Sequence, residues 1–126
     1  MQEGNDDNKV KSVLIAEIDA LQKYYLTTKE YLAGKPYDPV DVAATVLLYK
    51  EGLNRVSSHI MTLYVLKGKK VKITWDPLLE NLSNASATLE RPGRDLRSVI
   101  ELAFNMSSPS AAEVMAYLAE LKESLK

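Results

Sequence analysis

The sequence predicts an all-α protein: a helical bundle with a long N-terminal antiparallel helical hairpin, a short extended basic connector, and then three shorter helices. Apolar residues recur every three or four positions through most of the 126 residues. That is the period of helices that bury one face. Glycine and proline interrupt the pattern at "AGKP", "LKGK", "RPGR" and "SSPS", which separates the helical segments. A single short run alternates with the period of a strand.

The first helix is predicted to start at Lys9, after a polar arm over residues 1–8 that is expected to be disordered. Residues 9–126 are predicted to form one helical domain. Gly34 is the expected C-cap, and Pro36 lies just beyond it. The apolar face of this helix, spaced by four and three, consists of Leu14, Ile18, Leu21, Tyr25, Thr28 and Leu32.

The second helix is predicted to start at Asp38, which can cap it, with Pro39 in the first turn. We expect it to run to about Leu66, before Gly68. Its buried face consists of Val42, Val46, Tyr49, Leu53, Val56, Ile60 and Leu63. Residues 40–48 are apolar nearly all round, which predicts burial on several sides, partly by another chain.

The connector carries the strand-like alternation, with Val71, Ile73 and Trp75 separated by polar residues. Asp76 and Pro77 then repeat the helix start signal, and Ser110 with Glu113 forms a capping box before the last helix. The apolar positions of the three shorter helices are Leu78, Leu82, Ala85 and Leu89; Leu96, Val99, Ile100, Ala103 and Phe104; and Val114, Leu118, Leu121 and Leu125.

The composition excludes several classes of protein. The net charge of −1 gives no global attraction to a polyanion, and zero cysteines exclude disulfides, thiolate metal sites and thiol nucleophiles. No apolar run approaches the roughly 20 residues that span a bilayer, and the polar, acidic start is not a secretory signal. We therefore expect a soluble, cytoplasmic protein with no membrane contact, and we predict no cofactor, metal site or catalytic residue.

A local basic patch is the candidate nucleic-acid interface. Lysines can contact phosphates, and an aromatic ring can stack on an unpaired base, as single-strand binding requires. The alternative is that the lysines only keep an exposed strand edge from pairing. The residues of this candidate interface are Lys67, Lys69, Lys70, Lys72, Trp75, Arg94 and Arg97.

Two tyrosines on the first helix form a second candidate surface. Tyr24 and Tyr31 are seven residues apart and border the apolar face. The simpler interpretation places them at the edge of the core, with their hydroxyls in water. The functional interpretation is a partner-binding surface, where tyrosine is enriched.

The histidine His59 follows Arg55 by one helical turn. An arginine and a histidine on one helix of a bundle resemble the motif of HEPN-type ribonucleases, although three residues intervene here and four to six in that family. The resemblance implies a degenerate ribonuclease site. The alternative is structural: His59 borders the apolar face, and Glu51 is the ion-pair partner expected for Arg55.

These observations favour a non-catalytic small helical subunit or adaptor of a larger assembly, which acts through its surfaces. Its expected partner is a protein or a second copy of the chain, and the basic connector could also contact nucleic acid. In size and architecture the chain is similar to the small subunit of archaeal CRISPR surveillance complexes. That resemblance implies binding of single-stranded nucleic acid as an alternative function, beside the HEPN-like ribonuclease.

Overall fold

The computed structural model describes residues 2–64, 75–89 and 95–126. Over these ranges the chain forms five α-helices and no strand. Their bounds are α1 Gln2–Leu32, α2 Pro39–Leu63, α3 Asp76–Leu89, α4 Leu96–Asn105 and α5 Ala111–Leu125. The prediction of an all-α bundle with a long hairpin and three shorter helices is confirmed. The stretch predicted as an extended connector, residues 65–74, lies outside the described residues.

Helix α1 begins at Gln2, not at Lys9 as the apolar period predicted. Periodicity marks only the part of a helix that packs against the core. A polar segment can extend that helix, because adding a residue to an existing helix costs far less than nucleating one. The helix boundary is corrected accordingly, while the division between an arm and a domain at residue 9 stays a prediction.

A short turn reverses the chain between α1 and α2. Gly34 has a φ of 109°, a backbone conformation that glycine adopts without strain, and the Lys35 N–H donates to the Glu30 carbonyl at 3.0 Å. Asp38 then caps α2, because its carboxylate accepts the Val40 N–H at 2.8 Å. The predicted stop and start signals of the hairpin are both confirmed.

The hairpin buries the face that the sequence predicted. All seven predicted positions of α2 are buried, together with Leu14, Ile18, Leu21 and Thr28 of α1. Tyr25 and Leu32 are only half-buried, and they pack against the margin of the core. Helix α2 ends at Leu63, three residues before the predicted end, and the Tyr64 N–H donates to the Ile60 carbonyl at 2.9 Å.

The two long helices approach each other closely at Gly52. A Cβ atom built on this glycine would lie 2.6 Å from Leu21 Cδ2. Leu21 itself is fully buried, so its side chain fills the space that a larger residue at position 52 would need. The pair therefore fixes the register in which α1 and α2 pack.

The three shorter helices complete the core by packing against the hairpin. Helix α3 packs against α2 and α4, while α5 packs against α1 and α4. The ring of Tyr49 on α2 lies 5.4 Å from that of Phe104 on α4 and 6.2 Å from that of Tyr25 on α1, between ring centroids. The aromatic cluster of Tyr25, Tyr49 and Phe104 thus joins α1, α2 and α4.

Ser110 caps α5 by accepting the Glu113 N–H at 3.4 Å.

We expect Leu53→Ala to lower the free energy of unfolding by about 2–5 kcal/mol, because the fully buried side chain would leave a cavity. Chemical denaturation followed by circular dichroism would measure the change. Lys50→Ala is the matched control on the same helix, and we expect it to be nearly neutral. Equal losses from the two variants would contradict the assigned core face.

Candidate functional site

The lysines of the candidate nucleic-acid interface lie outside the described residues. Lys67, Lys69, Lys70 and Lys72 fall within residues 65–74, and Arg94 falls within residues 90–94. Their part in nucleic-acid binding stays a prediction. The structure does describe the other two members of this set, Trp75 and Arg97.

Trp75 does not offer a surface on which a base could stack. Its side chain is 3 % exposed and belongs to the core. The indole Nε1–H donates to the Leu53 carbonyl in the middle of α2 at 3.3 Å, and its ring centroid lies 6.3 Å from that of Tyr117 on α5. The stacking role predicted for Trp75 is corrected. A large apolar ring before α3 is more stable in the core than in water.

Arg97 on α4 is exposed, but its guanidinium is held against the C-terminal end of α1. Its Cζ lies 5.0 Å from the centroid of the Tyr31 ring, a cation–π contact. Its Nη1 donates to the Leu32 carbonyl at 3.3 Å. A positive charge is favourable at this end of a helix. This contact fastens α4 to α1.

The two tyrosines of the candidate partner surface are both half-buried and pack against the core. Arg97 covers one side of the Tyr31 ring. The Tyr24 carbonyl accepts the Thr28 hydroxyl at 2.8 Å, which leaves Thr28 satisfied although it is fully buried. Both tyrosines therefore have a structural role, and their contact with a partner stays a prediction.

A cluster of charged and titratable groups joins α1 to α2. Glu17 on α1 lies between two residues of α2: its Oε2 is 3.7 Å from Arg55 Nε, and its Oε1 contacts His59 Nδ1. The His59 contact is within ion-pair distance but does not have hydrogen-bond geometry. Arg55 therefore pairs with Glu17 across the hairpin, and the predicted pairing with Glu51 on its own helix is corrected.

The antiparallel register explains why sequence analysis missed Glu17. Leu21 faces Gly52, so the residue one turn before Leu21 must lie beside the residues one turn after Gly52. Glu17 is that residue, and Arg55 and His59 flank the opposite position. The one feature of the sequence that could have identified Glu17 is that it is an acidic residue next to the apolar face of α1. This feature points to Arg55 and His59 only once the register of the two helices is known.

The cluster places a buried carboxylate behind two more accessible groups, a guanidinium and an imidazole. Both Glu17 carboxylate oxygens and His59 Nδ1 are inaccessible to solvent, while the His59 ring is one-third exposed and the Arg55 side chain is more than half exposed. A negative charge beside Nδ1 favours a proton on that nitrogen, which leaves Nε2 of the neutral ring as the acceptor. Such an arrangement can accept a proton at Nε2 and bind an oxyanion through Arg55.

A second polar group in unusual surroundings is the hydroxyl of Tyr49, which belongs to the aromatic cluster that joins α1, α2 and α4. The residue is fully buried, and among the described residues its hydroxyl has no hydrogen-bond partner. Burial raises the pKa of this hydroxyl well above its usual value, since the phenolate would be poorly solvated there. Tyr49 therefore stays neutral and acts as part of the core.

The outer face of α2 carries an apolar stripe, which we define as Val40, Ala44, Leu47 and Leu48. These residues are spaced as one helical face, and all four are exposed. Val40 is 74 % exposed, Leu47 43 % and Leu48 41 %. The shorter helices thus do not cover the whole of α2, although the sequence predicted that this helix is buried on several sides.

Comparisons with protein-family models, with curated proteins and with solved structures gave no match to this chain. In the part of the chain that the structure describes, no helix is both long and apolar enough to cross a membrane. Over the same residues, no three acidic, histidine or cysteine side chains are grouped so that they could hold a metal ion. Two features of the described residues remain as candidate functional sites, the Glu17 cluster and the exposed apolar faces.

A double-mutant cycle between Glu17→Ala and His59→Ala should give a coupling energy of about 0.5–3 kcal/mol, because the two side chains are in contact. We expect His59→Ala alone to lower the free energy of unfolding by about 0.5–3 kcal/mol. Both follow from urea denaturation at one fixed pH.

The control cycle pairs His59→Ala with Glu51→Ala, which lies two helical turns away on the same helix. We expect those two changes to add to within about 0.5 kcal/mol. If the coupling between His59 and Glu51 were as large as that between His59 and Glu17, the negative charge of Glu51 on α2 would account for the effect as well as the contact across the hairpin.

Proposed function

We propose that the protein is a non-catalytic helical adaptor that binds a protein partner through the apolar stripe of α2. The carrying observation is the exposure of Val40, Leu47 and Leu48 together on one face. Single exposed apolar residues are ordinary on protein surfaces, whereas several on one helical face are typical of binding surfaces. An amphipathic helix of the partner fits such a stripe, with its own apolar residues at matching spacing.

The charges around the stripe indicate the chemistry of the partner. Asp38 lies at the start of α2, Asp41 precedes Ala44 by three residues, and Glu51 follows Leu47 by four. All three acids are exposed. Lys50 is the basic residue at the border of the same face and is half-buried. A partner helix with lysine or arginine beside its apolar residues would complement this surface, and an acidic one would be repelled.

A photo-reactive benzoylphenylalanine at position 47 should cross-link to the partner in cells that make the protein. We expect the cross-linked segment to be an amphipathic helix with basic residues, as identified by mass spectrometry. Leu47→Glu should weaken binding of that purified segment by more than about tenfold, since it replaces an apolar contact with a charge.

The matched control places the same photo-reactive group at position 26, where Leu26 is 59 % exposed on α1. We expect no cross-link to the same segment from there. Cross-linking to an acidic segment, or equal cross-linking from both positions, would contradict the proposed surface.

A second candidate function is cleavage of a phosphodiester bond at the Glu17 cluster. The observation that favours it is the buried Glu17 carboxylate in contact with both Arg55 and His59. In this function His59 Nε2 accepts the proton of the RNA 2′-hydroxyl as its oxygen forms a bond to phosphorus, and Arg55 binds the phosphate oxygens. The P–O5′ bond breaks, and water protonates the leaving 5′-oxygen. This role corresponds to the resemblance of Arg55 and His59 to the HEPN motif.

If this second function holds, the purified protein should cleave labelled single-stranded RNA, and His59→Ala should slow cleavage by about 10²–10⁴-fold, the usual contribution of general acid–base catalysis. Glu17→Gln should slow it less, because Glu17 acts through the imidazole. Lys50→Ala, on the same helix, is the control that should leave the rate unchanged. RNA binding that weakens with salt, without cleavage, would instead favour nucleic-acid binding by the predicted basic patch. If the protein neither binds nor cleaves RNA, only the adaptor function remains.

A further inference from the structure

The antiparallel helices α3 and α4 form an apolar groove of about 320 Å³ on the surface. From α3 the lining residues are Asn81, Asn84, Ala85 and Thr88. From α4 they are Val99, Leu102, Ala103 and Met106, the last being the residue that caps the helix. Both sets are spaced as i, i+3, i+4 and i+7, so each helix turns one complete two-turn face toward the groove.

The surface that α3 and α4 form together has both protruding side chains and a depression. Leu102 is 61 % exposed and Met106 is 70 % exposed, one turn apart on α4. Ala85 and Ala103 are buried, and their small side chains form the floor of the groove. A contact between two copies related by a two-fold axis needs protrusion and depression side by side on one surface, because each copy supplies both.

The polarity of the lining also suits a second copy. Among the described residues that line the groove, none is charged. An identical charge would meet itself across a two-fold axis and repel. The amides of Asn81 and Asn84 carry both donors and acceptors, so they can pair with the same residues of another copy. Near-zero net charge, −1 for the chain, adds little repulsion between copies.

We propose that the α3–α4 groove is a self-association surface, on which two copies pack α3 and α4 into a four-helix arrangement. Leu102 and Met106 of each copy enter the groove of the other, and the asparagines pair at its edge. A helix contributed by the partner fits because both walls have helical spacing. This surface lies on different helices from the apolar stripe of α2, so it adds to the proposed adaptor function and does not depend on it.

Sedimentation velocity over a concentration series up to about 1 mM tests the proposal with the full chain. We expect a concentration-dependent dimer. Leu102→Glu should raise the dimer dissociation constant by more than about tenfold, because it places a charge in an apolar contact. The matched control is Leu26→Glu on α1, which is exposed to a similar extent, 59 %, and should leave the dimer unchanged. Circular dichroism verifies that each variant is folded.

A charge-reversal mixture distinguishes a lost contact from a damaged fold. Leu102→Glu and Leu102→Lys should each be monomeric alone. Their equimolar mixture should form a heterodimer, because residue 102 of each copy enters a groove that residue 102 of the other copy lines. Wild-type protein that stays monomeric over the whole series would overturn the proposal. So would a dimer that Leu26→Glu disrupts as strongly as Leu102→Glu, or a mixture of the two charged variants that fails to associate.

Discussion

The packing of Leu21 against Gly52 sets the register on which the rest of the molecule depends. Without a side chain at position 52, α1 and α2 approach closely enough for Leu21 to be fully buried between them. Because the two helices are antiparallel, one such contact determines which residues face each other along the whole hairpin. It places Glu17 beside Arg55 and His59 on one side of Gly52, and Tyr25 beside Tyr49 on the other.

A second contact transmits this register to the shorter helices. The Trp75 indole donates to the Leu53 carbonyl, one residue beyond Gly52. It therefore fixes the start of α3 at the middle of α2, next to the contact between Leu21 and Gly52. A buried indole N–H needs an acceptor, and this contact provides one while burying the largest side chain of the protein. The position of α3, and with it the groove that α3 forms with α4, follows from where Trp75 is held.

The fold was predictable because it depends on periodicity and on turn residues. All seven apolar positions of α2 are buried as predicted, and Gly34 and Asp38 end and start the helices where their conformational preferences indicated. The errors occurred where tertiary contact overrides local pattern. Proximity to the lysines favoured a base-stacking role for Trp75, and proximity in sequence favoured Glu51 as the partner of Arg55. Neither the distance from Trp75 to Leu53 nor that from Arg55 to Glu17 can be inferred without the register of the helices.

The charges around the two exposed apolar faces favour different partners for each. A two-fold contact through the stripe of α2 would bring Asp41 and Glu51 near their own copies, and that repulsion opposes self-association there. The described residues that line the α3–α4 groove are uncharged, so they add no such penalty. These charges support the two proposals, a basic partner on the stripe of α2 and a second copy of the chain on the α3–α4 groove. If both contacts form, a dimer presents two α2 stripes, and a partner with two matching segments would bind it more tightly than it binds a monomer.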